Sequence, residues 1–131
     1  MQVDSGQQSA ISLREADEIL VLDQAKLDEL RELQASSDFS LDRVVRSFVE
    51  EVDDYISRLP KLYSQEQPAE LQRLAHTFKA NGQELGVTRL AATCQEIEDC
   101  GREAIFAGVD ELIDQVEQEA RIACLALQEI V

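Results

Sequence analysis

Apolar residues return with helical period along most of this chain. Leu71, Ala75, Phe78, Gly82 and Leu85 follow an i, i+4, i+7, i+11, i+14 spacing, which gathers them on one helix face turned toward a core. Before them, Leu41, Val45, Phe48, Val52, Tyr55, Ile56, Leu59 and Leu62 form a stripe of about six turns. After them come Leu90, Cys94, Ile97 and Gly101, and then Leu112, Ile113, Val116, Ala120, Ala123 and Leu127. A shorter stripe, Leu27, Leu30 and Leu33, precedes all of these. No run alternates with period two, so no strand is expected.

Polar residues, glycines and prolines mark where the helices start and stop. Asp23 is an N-cap, with Leu22 and Leu27 in hydrophobic-staple positions, for a helix ending near Ser36. Ser40 caps the next, and Pro60 is expected to kink it or end its regular part by removing a donor and crowding the preceding turn. Pro68 opens the third helix in its first turn, and Gly86 closes it at a position suited to a left-handed C-cap. Thr88 is expected to cap the fourth helix. The linker between these two is then so short that they form an antiparallel hairpin. Gly108 breaks the chain before the last helix.

Four long amphipathic helices joined by short loops bury their stripes most simply as an all-α, antiparallel four-helix bundle, with the short N-terminal helix covering one end. Residues 1–22 read as a flexible leader or linker, polar and aperiodic through residue 11. A capping-box pair, Ser12 and Glu15, is able to start a short helix to about Leu20. Residues 23–131 hold the bundle. At 131 residues and 44% apolar content the chain is one domain, long enough to bury about two-thirds of its unfolded surface.

The formal net charge of −15 argues against a nucleic-acid partner and against anionic membranes. No apolar run is long enough to span a bilayer and no signal-peptide pattern opens the chain, so a cytoplasmic protein is expected. Cys94, Cys100 and Cys124, an odd number without zinc-finger spacing, are expected as reduced thiols. One segment departs from the acidic background. Between Gln72 and Leu90, Arg73, Lys79 and Arg89 face Glu84 alone, a basic island suited to an anion.

That island contains the chain's one histidine. His76 lies off the apolar stripe, with Gln72, Arg73, Lys79 and Ala80 at one turn's distance and Gln83 two turns on. A metal site needs several ligands at defined spacing and no second histidine exists, so no metal and no cofactor are expected. Imidazole, with an ordinary pKa of about 6.5, is largely neutral near pH 7, and a neutral ring nitrogen is able to attack phosphorus. Lys79 is placed to hold the arriving phosphoryl oxygens. The bland reading, a surface histidine with no task, competes with this one.

His76-Thr77-Phe78-Lys79, with Leu85-Gly86 nine and ten positions after the histidine and then Leu90, Cys94, Ile97 and Glu98, resembles the histidine-phosphotransfer (HPt) domain of bacterial and fungal phosphorelays. The resemblance spans residues 23–128. It implies a four-helix bundle whose histidine takes a phosphoryl group from the aspartate of one receiver domain and passes it to another receiver, with His76 as carrier, Lys79 as its electrostatic neighbour and Gly86 as the hairpin turn. Arg73, Ala80 and Gln83 are the expected receiver-docking residues. The family commonly has Gly-Ser after the lysine where this chain has Ala80-Asn81, which adds one methyl group beside the histidine. With no Walker-type loop to hold ATP, the domain is expected to be a phosphocarrier without kinase activity of its own. The expected partners are receiver domains and a sensor or hybrid histidine kinase, the chain being either a separate carrier or the C-terminal module of such a hybrid kinase. A helical adaptor that docks receiver or other signalling domains without being phosphorylated, and a degenerate HPt-like fold, are the competing readings.

Overall fold

A computed structural model describes residues 21–131, which form five helices: α1 Gln24–Ser36, α2 Leu41–Ser64, α3 Pro68–Glu84, α4 Thr88–Glu103 and α5 Val109–Ile130. The expected leader and the possible Ser12–Leu20 helix lie outside the described residues, apart from Val21 and Leu22, which pack in and against the core. Helices α2 to α5 form a four-membered ring, each packed on its neighbours in sequence and α5 closing on α2, with α3 and α4 the most intimate pair. This is the antiparallel bundle expected from four stripes and short connections.

The stripes meet in a single core. Leu71, Phe78, Leu90, Ile97, Val116 and Leu127 are almost wholly removed from solvent, and Phe78 lies against Tyr55 with ring centroids 4.5 Å apart. Leu33, expected on the α1 stripe, is instead exposed, because α1 buries only Leu27 and Leu30 against the bundle. Pro60 does not end α2, which continues as a helix to Ser64. Thr88 is the first residue of α4 rather than its cap, and the preceding position, Val87, has no side-chain acceptor to offer.

Asp23 caps α1, its carboxylate accepting from the backbone N–H groups of Ala25 and Lys26. Ser40 caps α2 by accepting from the N–H of Arg43. At the end of α3, Gly86 has φ +74°. The N–H of Val87 reaches the Gly82 carbonyl at 3.0 Å and that of Gly86 reaches Gln83 at 3.1 Å, the paired bonds of a Schellman turn. The carbonyl of Gly86 accepts from the Asp23 N–H at 2.6 Å, which fastens the start of α1 onto the α3–α4 turn.

At the opposite end of the hairpin, Gly101 lets the two backbones touch. A Cβ there would stand 2.8 Å from the Pro68 carbonyl oxygen and 2.8 Å from the Gln72 nitrogen. The Schellman turn and this close approach fix the register of α3 against α4, and that register sets which side chains face His76.

Candidate phosphoryl-acceptor site

His76 projects from the outer flank of α3 next to α4, its side chain 61% exposed. Its Nδ1 lies 3.1 Å from Oε2 of Glu98, which stands on the facing turn of α4 with a side chain only 7% exposed. On the other carboxylate oxygen, Oε1, sits the Lys79 ammonium at 2.8 Å. Burial pushes the Glu98 carboxyl up, but hydrogen bonds from Lys79 and His76 and the charge of Lys79 outweigh it, and the carboxyl lies below its ordinary range. An ionised carboxylate only accepts, so the Nδ1 proton is assigned to the imidazole and the lone pair of the neutral ring falls on Nε2.

Lys79 is not the open cation of the sequence reading. Its side chain is 14% exposed, and the ammonium also donates to Oε1 of Gln95 at 2.7 Å. Gln95 donates in turn to Asp99 at 2.9 Å, Arg102 reaches Asp99 at 2.7 Å, and a second Arg102 nitrogen reaches Glu98 Oε2 at 3.2 Å. Lys79, Gln95, Asp99, Arg102 and Glu98 therefore close into a ring of hydrogen bonds and ion pairs, to which His76 is attached through Glu98.

The basic island dissolves in three dimensions. Arg73 pairs with Glu70 at 2.7 Å, Lys79 with Glu98, and Arg89 reaches across to α5, where it grips the buried Glu119 carboxylate with bonds of 2.6 and 2.5 Å. Counting charges along α3 and its turn misses acids supplied by other helices or by the preceding turn. Arg73 and Gln83 are exposed and Ala80 is half-buried on α3. Asn81, in place of the family's usual serine, turns toward α2 and donates to the Tyr55 hydroxyl at 2.6 Å and to Glu51 at 3.0 Å.

Sequence reasoning quoted Glu98 within the family pattern but gave it no role, and it passed over Gln95, Asp99 and Arg102. A signal for them was present. Once α3 and α4 are read as a hairpin about Gly86, the residues of α4 nearest His76 lie about as far after the turn as His76 lies before it. Glu98 with Lys79 at that level are opposite charges that have to meet. Among the described residues no group of three or more potential ligands is placed to hold a metal ion, and no helix is long and apolar enough to cross a membrane.

Comparison with known proteins matches the same region. No curated protein matches the sequence. Histidine-containing phosphotransfer protein B (HptB) of Pseudomonas aeruginosa has a crystal structure that superposes with a TM-score of 0.76 at 24% identity, covering 83% of this chain and 92% of that one, which shows a shared fold. The family model of the Hpt domain matches residues 43–126. With that match over most of α2 to α5, this chain belongs to the Hpt domain family of histidine phosphotransfer carriers.

Proposed function

We propose that His76 is the residue that carries the phosphoryl group, taking it from the phosphoaspartate of one receiver domain and giving it to another. The observation that carries this reading is the orientation of the ring: Nδ1 is occupied by a buried carboxylate while most of the side chain is open to solvent. In the transfer, the Nε2 lone pair forms the N–P bond as the aspartyl O–P bond breaks, and that bonding pair leaves with the receiver's carboxylate. The imidazole becomes a cation that keeps its Nδ1 proton, and Glu98 beside it compensates the charge. The reverse step releases a neutral ring. Each change of charge falls next to a carboxylate already desolvated and held in place by Lys79, so little reorganisation is needed.

Lys79 in this reading acts through Glu98 and is a positioning residue. Ala80, one turn from His76, leaves room for a receiver's active site, and Arg73 and Gln83 flank the approach. The in-line geometry and any divalent ion come from the receiver. A sensor or hybrid histidine kinase is the upstream partner, with this chain as a separate carrier or the kinase's own module, working in the cytoplasm.

Incubation with a phosphorylated receiver tests the proposal. Wild type is expected to acquire an acid-labile, base-stable label and His76→Gln none, while both bind the receiver. Binding without label on either would leave the adaptor reading.

A further inference from the structure

We infer that Arg102 is a second cation of the phosphoryl site, the one that moves onto the phosphoryl group when His76 carries it; this rests on His76 being the carrier. Two cations flank Glu98. Lys79 is nearly buried and held by Glu98 Oε1 and by Gln95, two partners within 2.8 Å. Arg102 is half exposed, and its two carboxylate partners differ in strength: 2.7 Å to the half-exposed Asp99 and 3.2 Å to Glu98. The Glu98 oxygen that it touches is Oε2, the same one that faces His76 Nδ1. The guanidinium and the imidazole Nδ1 therefore share one carboxylate oxygen, at 3.2 and 3.1 Å, which places the cation beside the ring before any movement.

A phosphoryl group on Nε2 brings close to two negative charges and three acceptor oxygens to that spot. Guanidinium matches such oxygens in bidentate fashion, and an exposed ion pair such as Arg102 with Asp99 holds it only weakly. Lys79 has no such freedom, since leaving would strip a buried carboxylate of its closest cation. The division of labour that follows is Lys79 for holding Glu98 and Arg102 for receiving the phosphoryl oxygens. Asp99 holds Arg102 aside in the unphosphorylated protein and competes with the phosphoryl group for it.

The test is the equilibrium distribution of phosphoryl between a phosphorylated receiver and this protein, read as the ratio of phosphohistidine to phosphoaspartate for wild type, Arg102→Ala, Arg102→Lys and Asp99→Asn. Arg102→Ala is expected to lower the phosphohistidine share about tenfold, with Arg102→Lys in between, and Asp99→Asn to raise it above wild type. A merely structural bridge between Asp99 and Arg102 predicts instead that Asp99→Asn behaves like Arg102→Ala. That result, or an unchanged ratio in a folded Arg102→Ala protein, overturns the inference. Failure of wild type itself to accept label would overturn the carrier reading, a separate outcome. Should Arg102→Ala not fold, the opposite responses expected of Arg102→Lys and Asp99→Asn still decide the question.

Discussion

Glu98 pairs with both groups that reach it across the helix pair, the Lys79 ammonium and the His76 ring, and its replacement by glutamine removes a charge while leaving a side chain of nearly the same shape. Lys79 then faces a neutral amide in a nearly closed site, and Nδ1 is no longer obliged to keep its proton. Glu98→Gln is expected to cost roughly 1–3 kcal/mol in urea unfolding. The rate of transfer to His76 is expected to fall by roughly tenfold, equivalent to about 1.4 kcal/mol in the barrier. Acid sensitivity gives a second reading. A carboxyl lowered in the folded state contributes stability that is complete above its unfolded value and is lost as pH falls through the folded one. The unfolding free energy of wild type should thus decline more steeply on acidification below about pH 4.5 than that of Glu98→Gln. Cys94 has the opposite sign. Burial pushes its thiol up to about 12, so its contribution is complete below the ordinary thiol value and is lost as pH rises from there toward 12. In native protein at pH 8, a thiol reagent is expected to leave Cys94 untouched, while all three cysteines react in urea. Rapid native labelling of Cys94 would refute its burial.

At the level of helices, the close approach at Gly101 carries the clearest consequence. A methyl group there meets backbone rather than a movable side chain, so α3 and α4 have to separate or slide. Gly101→Ala gains helix propensity of about 1 kcal/mol and still is expected to lose stability, because overpacking against immobile neighbours typically costs about 1–3 kcal/mol. Calorimetry should give a lower Tm. Transfer should also slow, since Glu98 and Arg102 ride on the displaced helix. Much of this architecture was legible in the sequence, for physical reasons that also explain what was not. The stripe Leu71, Ala75, Phe78, Gly82, Leu85 is a one-dimensional record of burial, and every member is buried. Gly86 announced a left-handed turn because few other residues adopt that conformation. Pro60 misled because a helix packed along its length tolerates one lost bond. Leu33 misled because a short covering helix has too narrow a contact to bury its whole stripe. His76 was singled out by its solitude on a polar face. Its true partners were missed because ion pairing across two helices leaves no period in either, only a register that has to be counted through the turn.

Across the whole molecule, 27 acidic side chains face 12 basic ones, and several of the cations are engaged in the ion pairs described above. The remaining acids repel one another. Raising NaCl from about 0.02 to about 0.5 M is expected to increase the unfolding midpoint, since screening weakens that repulsion more than it weakens the partly buried pairs of Lys79 and Arg89. A falling midpoint would mean that exposed ion pairs dominate the balance. The same comparison separates scaffold from chemistry. Helices α1, α2 and α5 supply part of the core and the partner of Arg89, but, among the described residues, none of the hydrogen-bond or ion-pair partners found for His76 or for the ring attached to it. Those all lie between His76 and Arg102, one uninterrupted stretch of chain folded back on itself. A site written in one contiguous passage is inherited or lost as a unit. Helices that only support it are free to change their outer faces, so new partners can be acquired by rewriting the rest of the surface while the passage proposed to carry phosphate is copied unaltered.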